Sequence, residues 1–495
     1  MMSSSGKCRI CGQSAEDVAP FGTSSLIKHA SEILKLVNSN DAPDENATTK
    51  VQSALADTSQ ELDLVSTRIA SILSELPHLL KQRTQKDRKI EDYRRILHPI
   101  RKVPAEVLSQ IFLNFVPDDG DESLSRDVEK SSIDQSETSW ILSHVSSRWR
   151  AVALSSPQLW SAVHLGSSDF FAGKAPFILG TQLQRSGNRP LSVSICSSYE
   201  ILPGHPLFQV LIPTSYRWAT LRLRITIESY KALSPWLSSF PLLTTLSLYP
   251  TLSDNINVGT ISHSGLTKMF QFCPILLDLT MDPMFIPLMH LPFLQIRQFD
   301  ASGVLSTSSQ CLVALKMLPN LQVFHMLCDD DSEGYLNNSE SSLPIVSLFH
   351  LEQLSVHTKG SGPVHLLDFI KAPALKILAI ANLQMINHLL PFIQKSEFSL
   401  TFLKIQSEVL IDFDFIPLLE WTDSLKSLSL HCPLVYTTTF IERLAGTDKS
   451  MLVPCLESLE LEGTSEPQTK REMGTVLALL QSVRPDLAIG ALVLY

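Results

Sequence analysis

The 495-residue sequence is poor in the features that several large protein classes require. Its 8 cysteines are scattered, too few and too dispersed for a disulfide framework, so reduced thiols are expected. The N-terminal stretch has no apolar segment typical of a secretory signal, and no run approaches about 18 consecutive apolar residues. These absences predict a cytoplasmic or nuclear protein without a membrane anchor.

Positive charge is also scarce. The chain has 40 Lys and Arg against 50 Asp and Glu, a formal net charge of −10. Neutralising nucleic-acid phosphates requires a surplus of Lys and Arg, and the sequence has no basic stripe interleaved with aromatic residues. The composition therefore predicts that nucleic acid is not a partner.

Catalytic and metal-binding signatures are missing as well. The sequence has only 19 glycines, and it contains no phosphate-binding Gly-rich loop, nucleophile elbow or kinase motif set. Cys8 and Cys11 form half of a zinc-type pair, but the next cysteine is Cys196 and the only nearby histidine is His29. We therefore predict neither a metal nor a cofactor, and a protein that is not an enzyme.

The N-terminal hundred residues fall into two parts. Residues 1–60 are rich in Ser, Asp, Asn and Thr, which predicts mostly disorder. Residues 61–98 carry a heptad stripe interrupted by Pro77, and this pattern predicts a helical hairpin or a short coiled coil. Folding back on the same chain is the favoured interpretation, and self-association is the alternative. The stripe begins with Leu62, Val65, Ile69, Ile72, Leu76 and Leu79.

Residues 99–165 contain two apolar helical patterns separated by an acidic insertion. The first follows Pro104 and stops at Pro117, with apolar residues recurring at helical spacing. The insertion, 118–139, holds eight acidic residues against two basic ones. The second pattern runs from Trp140 to about Leu154. Two helices this short cannot bury both apolar faces within one pair, so a further domain or another protein must cover the surplus.

These residues carry a family resemblance. The order P-x-E-x-L-x-x-I-F from Pro104, then V-x-x-x-W-R-x-x-A from Val145, then P-x-L-W from Pro157 is similar to the F-box. It resembles in particular the divergent F-box-like proteins of mushroom-forming fungi (basidiomycetes). The resemblance implies an F-box-like domain over 99–165 that docks a Skp-type adaptor and, through it, a cullin. The implied contact residues are Pro104, Leu108, Ile111, Phe112, Val145 and Trp149. The alternative is that they form only the core of a helical subdomain.

Beyond the second pattern the sequence repeats. Segments of the form L-x-x-L-x-L or close variants recur at 18 to 33 residues, several of them preceded by a proline that ends the previous segment. The repeats begin at Leu243, Leu276, Leu294, Leu321, Leu351, Leu375, Leu400, Leu425 and Leu456. Looser strands are expected at 160–165, 191–195 and 219–225, with a further one in 487–495.

This period resembles that of leucine-rich repeats, in which a single unit cannot bury its alternating leucines and stacked units share one core. The predicted fold is α/β: an N-terminal helical hairpin and F-box helices, followed over 166–495 by a right-handed solenoid with a parallel concave sheet. Side chains between the leucines would line the concave face, although for any single one of them an ordinary solvated strand residue is the favoured interpretation. The predicted target-binding residues are His325, Gln353, Ser355, Lys404, Lys426, Ser429 and Glu460.

Two functions from different classes fit this organisation. The first is a non-catalytic substrate adaptor of a Skp–cullin–F-box ubiquitin ligase, whose solenoid binds an unknown target protein. The second is a leucine-rich-repeat scaffold that acts outside ubiquitination. The sequence does not separate them. A third class, an enzyme with an accessory solenoid, is disfavoured by the missing catalytic constellation.

Overall fold

A computed structural model of the chain describes residues 35–36, 42–115, 131–201, 204–237, 239–250, 269–328, 345–358, 366–381, 386–406, 415–431, 443–444, 452–462, 482 and 487–489. The chain divides into two units, Met1–Val103 and Pro104–Tyr495. The Cys8–Cys11 pair and residues 118–130 of the acidic insertion lie outside the described residues.

The first unit contains one long helix, α1, at Glu45–Leu97. Asp44 caps its N-terminus, where the carboxylate accepts a hydrogen bond from the amide N of Ala47 at 2.6 Å. Arg94 and Arg95 in the last turn complement the helix dipole. At about 1.5 Å per residue its 53 residues span roughly 80 Å.

The expected helical hairpin is wrong, because α1 continues through Pro77 without interruption. A proline in a helix removes one backbone hydrogen bond and costs about 3 kcal/mol, but it does not supply a turn. The segment has no glycine and no cluster of turn residues where the chain could reverse. Residues 45–60, for which disorder was the expectation, form the first turns of the same helix.

The second unit begins with three short helices, which form the helical module. They are α2 at Ala105–Leu113, α3 at Thr138–Val145 and α4 at Ser147–Leu154, followed by a 3-10 turn at Pro157–Trp160. Ser146 caps α4 by accepting a hydrogen bond from the amide N of Trp149 at 3.1 Å. The first predicted pattern thus forms one helix, and the second is divided into two helices at Ser146, whose backbone is extended.

Aromatic rings fill the interior of the helical module. The Phe112 ring lies 4.9 Å from Trp149, and Trp140 meets Trp160 edge-on at 5.0 Å. The guanidinium of Arg185, at the end of the next helix, lies 4.7 Å from the Trp140 ring centre and 4.4 Å from that of Trp160. These cation–π contacts join the helical module to the rest of the unit.

The remainder of the second unit is built on a 13-stranded sheet whose strands follow one another in chain order. Every described strand pair in it is parallel. Its strands are β1 Ala162–Leu165, β2 Leu191–Cys196, β3 Trp218–Arg224, β4 Thr245–Leu248, β5 Asp278–Met281, β6 Gln298–Ser306, β7 Val323–Cys328, β9 Gln353–Thr358, β11 Ile377–Ala381, β12 Phe402–Gln406, β13 Ser427–His431, β14 Ser458–Glu462 and β15 Ala488–Ile489. The strands β8 Val346–Ser347 and β10 Ile370–Lys371 pair separately.

Helices and 3-10 turns connect the strands and cover one face of the sheet. The buried side chains of the strands and of these connections belong to one apolar cluster. The helices are α5 Ala175–Arg185, α6 Pro206–Leu211, α7 Ile227–Leu233, α8 Ser308–Met317, α9 Ile386–Ser396 and α10 Ile416–Leu419. The 3-10 turns here are Ser167–Phe171, Ile212–Arg217, Pro283–Leu288, Phe293–Gln295 and Leu366–Phe369, and one more, Pro99–Lys102, follows α1. The protein is therefore mixed α/β.

The leucine repeats match the strands closely. Eight of the nine repeat leucines lie two residues before a strand, as Leu243 does before Thr245, and all eight are buried. Leu294 is the exception. It is 71 % exposed in a 3-10 turn, and Ile296, fully buried, takes the equivalent position two residues before β6. A shift of two residues preserves the face of a strand, so the pattern still predicts β6 correctly.

The first edge of the sheet is covered by the segment that leads into α3. Ser132 donates its amide N–H to the carbonyl of His164 at 2.8 Å, and its hydroxyl accepts a bond from the amide of His164 at 3.0 Å. Gln182 donates from its side chain to the carbonyl of Ala162 at 2.6 Å. Satisfied edge groups cannot template pairing with another strand.

No helix within the described ranges is both long enough and apolar enough to cross a membrane.

Burial of thiols gives a test of this fold. Burial raises the pKa of the Cys273 thiol to about 12, whereas Cys455 is exposed. At pH 8 a thiol with that pKa is about one part in 10,000 thiolate, the reactive form. We expect iodoacetamide to alkylate Cys455 in the native protein and to leave Cys273 unmodified until urea is added, as read by peptide mass mapping. Equal labelling of the two residues without urea would contradict the packing of the β4–β5 connection.

Candidate functional site

A mostly polar row crosses the sheet on the face that the described helices leave open. Each member is the register partner of the next, so their side chains project from the same face at the same level. We call it the central row: His164, Ser194, Arg222, Ser247, Thr280, Asp300, His325, Ser355, Ala379, Lys404, Ser429 and Glu460.

The rows on either side of the central row point into the core. The row that includes Leu221, Phe324 and Leu403 is buried, and so is the row that includes Leu223 and Ile405. Because side chains alternate across a strand, burying these two rows forces the central row outward. The open face is thus a consequence of where the leucines lie.

Five of the seven predicted target-binding residues lie in the central row. They are His325, Ser355, Lys404, Ser429 and Glu460, on strands β7 to β14. The structure therefore brings together residues that are up to 135 positions apart in the sequence. Among the five, Glu460 is exposed, His325 and Lys404 are half-buried, and the two serines are buried.

The other two predicted residues lie outside the row. Gln353 is on the same face as His325, at the start of β9. Lys426 precedes β13, and its ammonium lies 2.7 Å from a carboxylate oxygen of Glu457. That hydrogen bond raises the pKa of Lys426. Both groups are well exposed to solvent, so this ion pair contributes little to stability.

The C-terminal end of the central row is a hydrogen-bonded group. The Ser429 hydroxyl donates to a carboxylate oxygen of Glu460 at 2.9 Å. Its oxygen lies 2.7 Å from Nε2 of His431, two residues along the same strand. Because the hydroxyl donates its hydrogen bond to the carboxylate, its oxygen accepts a hydrogen bond from the imidazole N–H. The three groups therefore orient one another. This end of the face presents fixed polar groups.

The sequence pattern missed several residues of the open face. Arg222, Thr280 and Asp300 extend the central row toward β1, while Ile377 and Phe402, half-buried, add apolar surface beside it. Their signal was the alternation along each strand, since each lies directly before or directly after an inward-pointing residue of its own strand. The open face is therefore longer and more apolar than the predicted set.

Acidic groups lie in the middle of the open face. Asp278 on β5 accepts a hydrogen bond from the Thr245 hydroxyl at 3.3 Å. Partial burial raises the pKa of the Asp278 carboxyl, and the Thr245 bond opposes that shift. Asp300, in the next strand, accepts from the amide of Ser302 at 2.7 Å. Arg222 and Arg224, toward β1, supply positive charge, so the sign of the charge changes along the face.

The predicted adaptor-binding residues separate into buried and accessible groups. Leu108 and Phe112 are fully buried, and α2 packs against α4 and the Pro157–Trp160 turn. Ile111 and Trp149 are half-buried, and Pro104 and Val145 are exposed. Leu108 and Phe112 therefore stabilise the helical module and are out of reach of a partner in this conformation.

Further apolar residues of the helical module, outside the predicted set, are as exposed as Val145. Val107 is 49 % exposed, Phe115 58 % and Ile141 50 %, beside Val145 at 54 %. Val107 and Ile111 share one face of α2 at i, i+4 spacing, as Ile141 and Val145 do on α3. Helical periodicity finds the apolar positions but does not tell the inner ones from the outer ones, which is why Val107 and Ile141 were missed.

No protein-family model matches the sequence, and no curated protein matches it significantly. Within the part of the chain that the structure describes, no group of three or more His, Cys, Asp or Glu side chains is placed to hold a metal ion.

Adjacent residues of β12 test which side of the sheet is open. We expect Lys404→Glu to change the free energy of unfolding by no more than about 0.5 kcal/mol, because this side chain is on the open face. Leu403→Ala, one residue away and fully buried, should cost about 2–5 kcal/mol. Urea denaturation followed by circular dichroism measures both. Comparable losses for the two variants would mean that the register of β12 is different.

Proposed function

We propose that this protein is a substrate-recognition adaptor of a Skp–cullin–F-box ubiquitin ligase. In this proposal the helical module is the F-box-like domain, over 99–165, and docks a Skp-type adaptor. The repeats, over 166–495, bind a target protein on the open face of the sheet. The observation that carries the proposal is that one unit presents two separate surfaces, exposed apolar helix faces and a long open sheet face.

The repeats fit a leucine-rich-repeat-like, right-handed solenoid with the sheet on its concave side. All-parallel sheets normally have both faces covered, and stacked repeats are the arrangement in which one face stays open. The strands here follow chain order, one for each leucine repeat. Such a face suits recognition of a protein, since it offers many side chains on a rigid frame. No target is identified by its chemistry.

Docking of the adaptor would rest on the accessible part of the predicted residue set. Pro104, which precedes α2, and Val145, at the end of α3, are exposed. Ile111 on α2 and Trp149 on α4 are half-buried. A few apolar anchors that become buried on binding can supply most of the energy of such an interface. Leu108 and Phe112 would act from inside, by holding these helices in place.

The mechanism we propose is proximity. The chain would hold its target near the ubiquitin-transfer machinery, which belongs to its partners, so the effective concentration of the target rises without catalysis by this chain. The protein would need no cofactor and would work in the cytoplasm or the nucleus.

A leucine-rich-repeat scaffold outside ubiquitination is the second candidate. The burial of Leu108 and Phe112 favours it, because two of the residues that carry the F-box resemblance are explained by internal packing alone. The two functions differ in whether a cullin is recovered with the chain through a Skp-type adaptor.

Exposed residues of the helical module allow a clean test. We expect the purified full chain to bind a Skp-type adaptor, and Val107→Asp and Val145→Asp each to weaken binding at least about tenfold, because a charge would enter an apolar interface. Phe177→Asp is the matched control, since Phe177 is an apolar residue of α5 that is 80 % exposed. Isothermal titration calorimetry gives the affinities, and thermal melts confirm that each variant is folded.

The outcomes separate the two candidates. Binding by the wild type and by Phe177→Asp, with loss in the two valine variants and recovery of a cullin, supports the ligase adaptor. Adaptor binding without a cullin supports the scaffold. A folded wild type that does not bind the adaptor excludes the F-box function.

A further inference from the structure

The long helix α1 carries an apolar stripe that is exposed to solvent. Residues recur along it at alternating steps of three and four, and no residue of the helix is buried. Ile69 is 52 % exposed and Ile72 58 %, although both are among the most apolar side chains. We call the stripe the α1 seam: Val51, Leu55, Leu62, Val65, Ile69, Ile72, Leu76, Leu79, Ile90, Tyr93 and Leu97.

The α1 seam has the geometry of a coiled-coil interface. With Leu55 at heptad position a, the positions 62, 69 and 76 are also a, while 65, 72 and 79 are d. This run of apolar a and d residues is unbroken from Leu62 to Leu79, long enough to indicate a coiled coil. Pro77 is at position b, on the outer side, where its distortion does not touch the seam.

Among the described residues of the first unit, the helical segments besides α1 are residues 35–36 and the 3-10 turn Pro99–Lys102, and neither is long enough to cover the α1 seam. The helix does not turn back at Pro77, so the intramolecular hairpin that would bury these residues does not form. A 53-residue helix that carries an apolar seam and has no buried residue is stable in water chiefly when another helix packs along it.

Charge along α1 selects both the partner and its direction. Residues 45–71 carry four acids and two bases, whereas 72–97 carry four acids and seven bases. Two seam positions in the second half are cationic, Arg83 at a and Lys86 at d. A parallel copy would place Arg83 against Arg83 and Lys86 against Lys86. An antiparallel copy places both against the acidic half of its neighbour, which is favourable.

The side chains also fix a register for the antiparallel pair. Pairing Ile69 with Ile72 of the second copy sets Leu62 against its Leu79 and gives an apolar centre. In that register Arg68 and Glu75, both at g positions, face each other across the seam on both sides. A shift of one heptad would set Glu75 against Glu75 instead. One register therefore satisfies the charges next to the apolar centre.

We propose that two copies of this protein associate through α1 as an antiparallel two-stranded coiled coil, centred on Ile69 and Ile72 and flanked by Arg68–Glu75 ion pairs. Association of this kind gives the assembly two helical modules and two open sheet faces. A target with repeated sites would then be held more tightly than by one chain, since the second contact becomes intramolecular. The inference does not depend on the adaptor function.

The first experiment measures the mass of the full-length protein in solution. We expect sedimentation equilibrium at micromolar concentration to give the mass of two chains for the wild type. The double variant Ile69→Glu, Ile72→Glu should give the mass of one chain, because four carboxylates would enter the apolar centre. The matched control is Thr67→Glu, Ser74→Glu, which adds the same charge at the outer f positions and should remain dimeric. Circular dichroism confirms that each variant is helical.

Charge exchange tests the direction of the pair. Arg68→Glu and Glu75→Arg should each weaken dimerisation roughly tenfold, since two like-charged contacts replace two attractive ones. The double variant Arg68→Glu, Glu75→Arg should regain the wild-type dissociation constant. In a parallel dimer these residues face leucines at e positions, so the single changes would have little effect and the rescue would not occur.

Three results would overturn the inference or its antiparallel arrangement. If the wild type is monomeric at tens of micromolar, the α1 seam does not bind a second copy of this chain. A dimer that survives Ile69→Glu, Ile72→Glu would be held by another surface. A dimer that depends on these isoleucines but ignores the charge exchange would overturn the antiparallel arrangement.

Discussion

The second unit depends on the burial of two rows of leucines, isoleucines and related residues, which lie on either side of the central row. Every strand of the sheet from β1 to β13 supplies one residue to each row, and neighbouring strands complete the cover. A single strand with its connection could not bury these side chains, so the strands must stack in order. Once the two rows are inside, the intervening residue of every strand faces outward. The central row is therefore produced by the core and not by any preference of its own.

The helical module is joined to this sheet by polar and aromatic contacts. Arg185, from the helix after β1, stacks on the rings of Trp140 and Trp160, and Ser132 satisfies the edge of β1 at His164. The indole N–H of Trp140 donates in turn to the carbonyl of Ser132 at 2.9 Å. The module thus closes the first edge of the sheet while its outer apolar residues stay accessible. If it docks an adaptor, the sheet is held rigidly behind that contact.

Leucines have opposite consequences in the two units. In the second unit they are buried in the core, and the surface that remains accessible to partners is polar with short apolar stretches. In the first unit, apolar residues at heptad spacing remain on the surface of α1, because no element among the described residues of that unit covers them. The same residue type therefore marks a core in one unit and a candidate interface in the other, and local environment makes the difference.

The sequence alone determines the positions of eight strands, since a leucine two residues before the strand and alternation within it can be read from the letters. It also predicts the two helical patterns of the module and five residues of the central row. The continuation of α1 through Pro77 can also be read from the letters, because the segment has no glycine and no cluster of turn residues, although heptad periodicity alone does not report it. Tertiary structure decided the rest. Whether Leu108 faces a partner or the core depends on which helix face meets α4, because helical spacing defines an apolar face but not its neighbour. Arg222, Asp300 and Phe402 join the open face only through strand register, a relation between distant segments that no single repeat contains.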